Sequence, residues 1–431
     1  MTEKANAIEK KALAQITEQE RQHWTGIAFI WIGTMICIPM LMVGAMMISG
    51  LTLGSTIIVA TIGFAICCTI MSFTGIIGTD LGYPTVMCAS KSFGDIGARI
   101  VVSLVIAIAQ FGWFGVQTAT CGFAFCELMN TAFNMAFPFW LSALIWGIVM
   151  LTTAVYGFRL MKILNYIAVP ALILLCLYGV ISAINTKGVG NLFSYQPPQA
   201  IPVLSAISIM IGLFAVGTVI SSDYTRYSKS RQDTIKANFL GVLPAAIVMI
   251  AVGAIMSIVA GEYDITKVFA STGHTIISML VLILATWTTN TGNAYTAGLA
   301  VMRLFNIKDD KRPIVTAICG ILGTILAMMG VMSYFEQFLY LLAAAVPPIA
   351  GVLIADYWFF GRGKKENWSI IPGLNWYGIA AWVLGTAIAL YASFFSQALD
   401  SIIVSFIFYS VLNLLFGKKQ FQHKNSKAAE N

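Results

Sequence analysis

Apolar runs close to 20 residues long, each bounded by glycine, proline or charge, recur from one end of this chain to the other. They leave few folds open. A helix of about 20 residues spans a bilayer, and the runs divide the chain into twelve candidate spans, roughly 25–49, 54–78, 98–128, 136–157, 162–185, 202–221, 235–260, 274–304, 314–332, 334–359, 377–396 and 399–417. Only 10% of the residues are charged and 58% are hydrophobic, against roughly 25% charged in a soluble domain. The fold class expected is an all-α integral membrane protein with twelve transmembrane helices and the lipid bilayer as its surroundings.

The lysines and arginines set the orientation. With the N-terminus inside, all of the 25 except Lys187 and Lys267 fall in inner loops and tails. Adding or removing one span upstream would destroy that asymmetry, so the positive-inside rule supports the count as well as the direction. Both termini, 1–24 and 418–431, read as cytoplasmic tails. The net charge of +7 is accounted for by this distribution, and no nucleic-acid partner is expected. The eight cysteines sit mostly within apolar runs without a CxxC pair and read as core hydrophobes. His23, His274 and His423 give no metal cluster, and no Walker A, HExxH or nucleophile-elbow motif is present. An enzyme or ATP-driven pump is therefore not expected, nor any cofactor beyond a coupling ion. Channels and secondary transporters remain.

Charge inside a span points to function, yet Asp80, Asp223 and Asp356 fall at inner span ends and Glu127 near an outer one. They read as helix-end charges solvated at the interface. A midplane site must then consist of neutral groups, which favours an uncharged substrate and a cation held by carbonyls and hydroxyls. Inverted-repeat transporters interrupt equivalent helices in each half and use the exposed backbone ends as ligands. The candidate breaks are at Gly33, Thr34 and Pro39 in span one and at Gly212, Leu213, Phe214 and Gly217 in span six. In a single helix glycine and proline serve packing or kinks equally well; the pairing of spans one and six gives the break its weight.

If spans one to five and six to ten are repeats, 25–185 and 202–359, span three corresponds to span eight. Gln110, Trp113 and Gln117 share one face of span three. In span eight, Ala285–Thr296 is a polar stretch between two apolar runs. Thr288 and Thr289 either each bond back to the carbonyl four residues earlier or join the Ala285 carbonyl and carbonyls freed near Gly33 and Ile36 in an oxygen cage for sodium. Asn290 and Asn293 are either pocket wall or interhelical ties. Trp113 is expected to face Phe214 across the cavity and sandwich a flat ring, with Gln117 reading its edge.

These residues resemble the nucleobase-cation symporter family. The carrying pieces are Trp31-Ile-Gly33, Gly82-Tyr-Pro-Thr with Ser92-Phe-Gly94, Trp113-x3-Gln117, Gly212-x-Phe214 followed by Ser222-Asp223-Tyr-Thr-Arg226-Tyr227, Ala285-x2-Thr288-Thr289-Asn290, and Pro348-x2-Gly351-x4-Asp356-Tyr. The similarity runs from about Trp24 to span twelve. It implies a five-plus-five inverted-repeat core with two accessory helices at 377–417, alternating access and sodium-coupled uptake; a bacterial inner membrane and a monomer are expected alongside. It also implies Trp113 and Gln117 as substrate residues, Thr288 and Thr289 as sodium hydroxyls, and Gly33, Ile36 and Ala285 as carbonyl ligands. Phe214 stands where hydantoin-type members have a second tryptophan, and Ala294 beside Asn293 where they have an asparagine. The smaller clamp suits a ring such as cytosine. Proton coupling, a passive carrier or channel, and other nucleobases or hydantoins are the alternatives.

Overall fold

The computed structural model describes residues 15–156, 158–271 and 274–429. In chain order the principal helices are α1 (Trp24–Met35), α2 (Ile38–Met47), α3 (Leu53–Leu81), α4 (Asp95–Phe133), α5 (Phe139–Tyr156), α6 (Phe158–Lys187), α7 (Val203–Leu213), α8 (Ala215–Val219), α9 (Ser221–Thr225), α10 (Arg231–Ala260), α11 (Thr275–Phe305), α12 (Arg312–Met328), α13 (Phe335–Ala345), α14 (Pro347–Ile354), α15 (Trp376–Tyr391) and α16 (Gln397–Ala429). Among the described residues there is no strand, only one isolated bridge between Gln22 and Ser228. Among the described residues seven helices, counting Val331–Phe360 as one, are long and apolar enough to cross a membrane, and the bent pair α1–α2 makes an eighth. The shorter apolar helices lie in α5, α7, α12 and α15.

Proline and glycine place the breaks. Pro39 has no N–H, so the Met35 carbonyl loses its helical partner and accepts the Cys37 N–H at 2.9 Å instead. The Gly33 carbonyl, which a continuous helix would pair with Cys37, is thereby released. Ile36 (ψ 77°) and Cys37 (ψ 158°) leave helical geometry, and the axes of α1 and α2 diverge by 57°. The second break comes at Phe214 (φ −118°, ψ 17°), with another irregular residue at Ile220.

A third interruption departs from the continuous span read from the sequence. Pro347 and Pro348 open α14, and without their N–H groups carbonyls at the end of α13 need outside donors. Trp382 of α15 donates its indole N–H to the Ala345 carbonyl at 2.9 Å, and Ser401 of α16 donates to the Ala343 carbonyl at 3.4 Å. The last two helices thus complete the backbone of this break. Beyond it, Ala355–Phe360 winds as a π-helix.

The helices pack as two groups. α10 lies against α1, α2 and α3, and α11 runs along α4 with α5 and α12 beside it. Glycines bring the first group together: an added Cβ at Gly44 would strike the Ile250 carbonyl, and one at Gly253 the Leu41 carbonyl. Such close approach is how helices gain contact in a membrane, where lipid removes the hydrophobic drive.

One expectation is corrected at the lysine-rich end, and one segment there is better placed. The segment just before α1 is packed against the helices. Residues 1–14 lie outside the described residues, but Ile16 donates its N–H to the Gly82 carbonyl at 3.0 Å and Gln22 to that of Tyr227 at 2.7 Å, strapping the segment across α3 and α9. Asp356 is not a solvated helix-end charge. It is 3% exposed, with Tyr409 Oη at 3.0 Å, Ser92 Oγ at 3.1 Å and Lys91 Nζ at 3.5 Å. A buried carboxylate requires such partners. Tyr409→Phe is expected to cost about 1.5–3 kcal/mol, the range for a hydrogen bond to a charged group, seen as a lower thermal midpoint; an unchanged midpoint would show that Asp356 does not depend on it.

Candidate functional site

The two helix groups meet where α4 faces the breaks. On α4, Trp113 (8% exposed) and Gln117 (2% exposed) point into the protein one turn apart, while Gln110 is half-buried. Gln117 Oε1 is buried and accepts no hydrogen bond from the described residues. An amide oxygen left this way costs about 1–3 kcal/mol, so it marks a place where a donor is missing from the chain itself.

The aromatic rings are arranged differently from a bare pair. Trp113 meets Phe335 and Phe338 edge-on, with centroids 6.0 and 5.3 Å away. Phe214 stacks on Phe64 at 6.1 Å, meets Trp31 edge-on at 5.8 Å, and folds back over Gly217, whose missing Cβ makes the room. Each ring is thus braced by a different helix group. α13 and the Trp31/Phe64 pair went unread in the sequence; the i, i+3 spacing of Phe335 and Phe338 was the available signal. Leu213 is buried. Gly212 lies against the Leu339 carbonyl of α13, where a side chain would collide, so its smallness serves helix approach at the break.

One turn beyond Gln117, the Thr120 hydroxyl lies 3.8 Å from the Met42 sulfur and 4.0 Å from that of Met332. Above this layer a cavity of about 330 Å³ opens at the end away from the lysine-rich loops, lined in part by Met42, Met332, Phe335 and Glu336. Phe335 touches both the cavity and Trp113, so the cavity stands one side-chain layer from the indole.

On α11 the polar stretch stays helical. Thr288 and Thr289 both donate their hydroxyl hydrogens to the Ala285 carbonyl, at 2.9 and 3.0 Å. Thr289 thus bonds back four residues as expected, Thr288 bonds back three instead of four, and the shared acceptor changes the donor set. Ala285 O accepts two hydroxyls besides its place in the helix and has no lone pair to spare, whereas the two hydroxyl oxygens, their hydrogens committed, offer only lone pairs outward. Thr289, Gly292, Asn293 and Thr296 form a half-exposed stripe at i, i+3, i+4 and i+7. Gly33 is exposed, Ile36 half-buried, and a Cβ built on Gly33 meets nothing within 4 Å. The α1 break and the α11 stripe thus border open space instead of a closed cage.

Asn290 is wholly buried and its amide is spent between helices. Its Nδ2 reaches the Phe114 carbonyl at 3.0 Å, Thr118 Oγ1 at 2.9 Å and Met150 Sδ at 3.2 Å, and its Oδ1 accepts from Asn293 at 3.1 Å. That is an interhelical tie. Asn290→Ala is expected to lower stability by about 0.6–2 kcal/mol with ligand affinity changed less than threefold; a selective loss of affinity at unchanged stability would place it in the pocket wall. No group of three or more metal-ligating His, Cys, Asp or Glu side chains occurs among the described residues.

Residues 15–414 match the family described as permease for cytosine/purines, uracil, thiamine, allantoin. The chain belongs to that family. It is a membrane permease and not an enzyme. This permease is 27% identical to the cytosine permease of Escherichia coli K12 over 375 residues, 86% of this chain and 87% of that one. It is 28% identical to the hydantoin permease of Microbacterium maritypicum over 400 residues, covering 84% and 80% of the two chains. Its fold matches Mhp1 in an inward-facing conformation with a TM-score of 0.82 at 21% identity, covering 94% of each chain. A closed conformation of Mhp1 with bromovinylhydantoin bound matches with a TM-score of 0.78. The expectation of a nucleobase-cation symporter relative is met at the level of family and fold.

Proposed function

We propose that this permease is a sodium-coupled importer of cytosine that works by alternating access. The observation that carries the reading is the partnerless Oε1 of Gln117, 2% exposed and one turn from the Trp113 indole. Cytosine supplies what that oxygen lacks, since its exocyclic amine and ring N–H are donors in the ring plane. The indole face supplies stacking, which is worth about 1–3 kcal/mol per base. Phe214 in place of a larger indole suits the small ring, and likeness to a cytosine permease points the same way. A hydantoin is the second reading, favoured by the equally similar hydantoin permease; it too carries ring N–H donors.

For the cation we infer sodium, held by the Thr288 and Thr289 hydroxyl oxygens and the carbonyls released near Gly33 and Ile36 once α1 and α11 approach. Hard cations take such neutral oxygen ligands. The arrangement proposed is twelve spans in an inner membrane, two inverted five-helix repeats and two accessory helices, with both termini cytoplasmic and a monomer as the working unit. Thermal-shift measurements on the purified protein with cytosine, uracil and hydantoins, each with sodium or choline, test the reading. Cytosine in sodium is expected to give the largest shift; a larger shift with hydantoins would favour the second reading, and shifts indifferent to sodium would remove the coupling.

A further inference from the structure

At the lysine-rich end of the helices a cavity of about 440 Å³ opens between four segments far apart in sequence. These are the strap at Glu18 and Arg21, the end of α3 at Thr79 and Asp80, the turn into α10 at Lys229–Arg231, and the loop at 363–366 after the π-helix. Two of its three carboxylates are already spent. Asp80 accepts two Arg231 nitrogens at 2.9 and 2.6 Å and the Tyr357 hydroxyl at 2.5 Å, and Glu18 pairs with Arg21 at 3.1 Å. Glu366 is left facing Lys229, Lys364 and Lys365, all exposed, whose ammonium groups have no ion pair or hydrogen bond of their own among the described residues.

Three ammonium groups gathered on one cavity against a single unspent carboxylate, Glu366, leave a surplus of positive charge, and an anion relieves it. The opening turn of α10 adds its effect. Ser230 caps one N–H, that of Asp233, at 3.1 Å, while the first backbone N–H groups of a helix have no partner within it and favour negative charge. The space far exceeds a halide, and lysines converging from separate segments act as point charges suited to a phosphate's several oxygens. We propose that this cavity binds a phosphate group, either of a free phosphate anion or of an anionic lipid headgroup. The second source is within reach. The Arg231 guanidinium lies 5.4 Å over the ring of Trp358, a residue type enriched at the membrane-water boundary, and the adjacent Phe359 is 57% exposed. A phosphate seated here joins the strap, α10 and the loop after the π-helix. The site is separate from Trp113, Gln117 and the α11 stripe and stands whatever the transported substrate is.

The test uses the full chain in phosphatidylcholine nanodiscs. One arm titrates inorganic phosphate at constant ionic strength against chloride; the other replaces part of the lipid with phosphatidylglycerol. Thermal midpoint is read in both, and lipid retention by native mass spectrometry in the second. In wild type at least one arm is expected to raise the midpoint. In the combined variant Lys229→Gln, Lys364→Gln and Lys365→Gln the half-saturating concentration should rise about tenfold or more, and the matching arginine variant should keep the response. A tenfold change corresponds to about 1.4 kcal/mol. A response to inorganic phosphate identifies the free anion, and a response to phosphatidylglycerol alone identifies the headgroup. No response of wild type in either arm, an equal response of the glutamine variant, or a chloride control that reproduces it overturns the proposal.

Discussion

Gln117→Ala is expected to weaken cytosine binding about 10- to 100-fold, or about 1.4–2.8 kcal/mol, without lowering the thermal midpoint of the ligand-free protein. The two readouts separate because the Gln117 oxygen is buried and has no partner. A residue that held the fold through that oxygen would leave its donor stranded on removal, and stability would fall. Here nothing is stranded, and deleting an unsatisfied buried acceptor is neutral or favourable for the empty protein. The ligand bears the whole effect, because its in-plane donor then has no acceptor. Wild-type affinity in the variant would take Gln117 out of recognition. A fall in both affinity and midpoint would make it a packing residue of α4.

The second large effect is at Thr289. Its hydroxyl hydrogen is committed to the Ala285 carbonyl at 3.0 Å, so its oxygen can only accept, and it is half-exposed where Thr288 is 5% exposed. Thr289→Ala removes that oxygen and, with it, one cation ligand. Coupling is reciprocal: if sodium raises cytosine affinity by some factor, cytosine raises sodium affinity by the same factor, typically about 5- to 150-fold. In the variant that factor should collapse toward one, so cytosine affinity at high sodium falls to the sodium-free value. Thr289→Ser, which restores the oxygen, should recover the dependence. An unchanged slope of affinity against sodium in Thr289→Ala would remove the hydroxyl from the cation site.

The fold was legible where a local rule decides it. Apolar length gives the helices, Pro39 and the missing donor at its nitrogen give the first break, and the Gly212–Phe214 step gives the second. The i, i+4 spacing of Trp113 and Gln117 put both on one face, as the structure has them. What stayed hidden depends on contacts between distant segments. The Pro347–Pro348 break holds because Trp382 and Ser401 supply donors to freed carbonyls, which no pattern within 334–359 announces. Asp356 looked like any helix-end acid until Lys91, Ser92 and Tyr409 were folded around it. Asn290 and Asn293 had equal standing in sequence; the rotation of α11 against α4 sent one inward as a tie and left the other on the half-exposed stripe. The pairing of Trp31 and Phe64 with Phe214, and of Phe335 and Phe338 with Trp113, stayed hidden for the same reason, since each joins side chains from helices far apart in the chain.

The most direct measurement is cytosine accumulation in proteoliposomes holding the purified protein, with sodium outside only and no other gradient. The account expects internal cytosine to rise transiently above the external concentration, and to reach no more than equilibrium when choline replaces sodium or when the sodium gradient is collapsed. Accumulation that persists in choline, or uptake that stops at equilibrium with the sodium gradient intact, would contradict sodium-coupled transport by this chain.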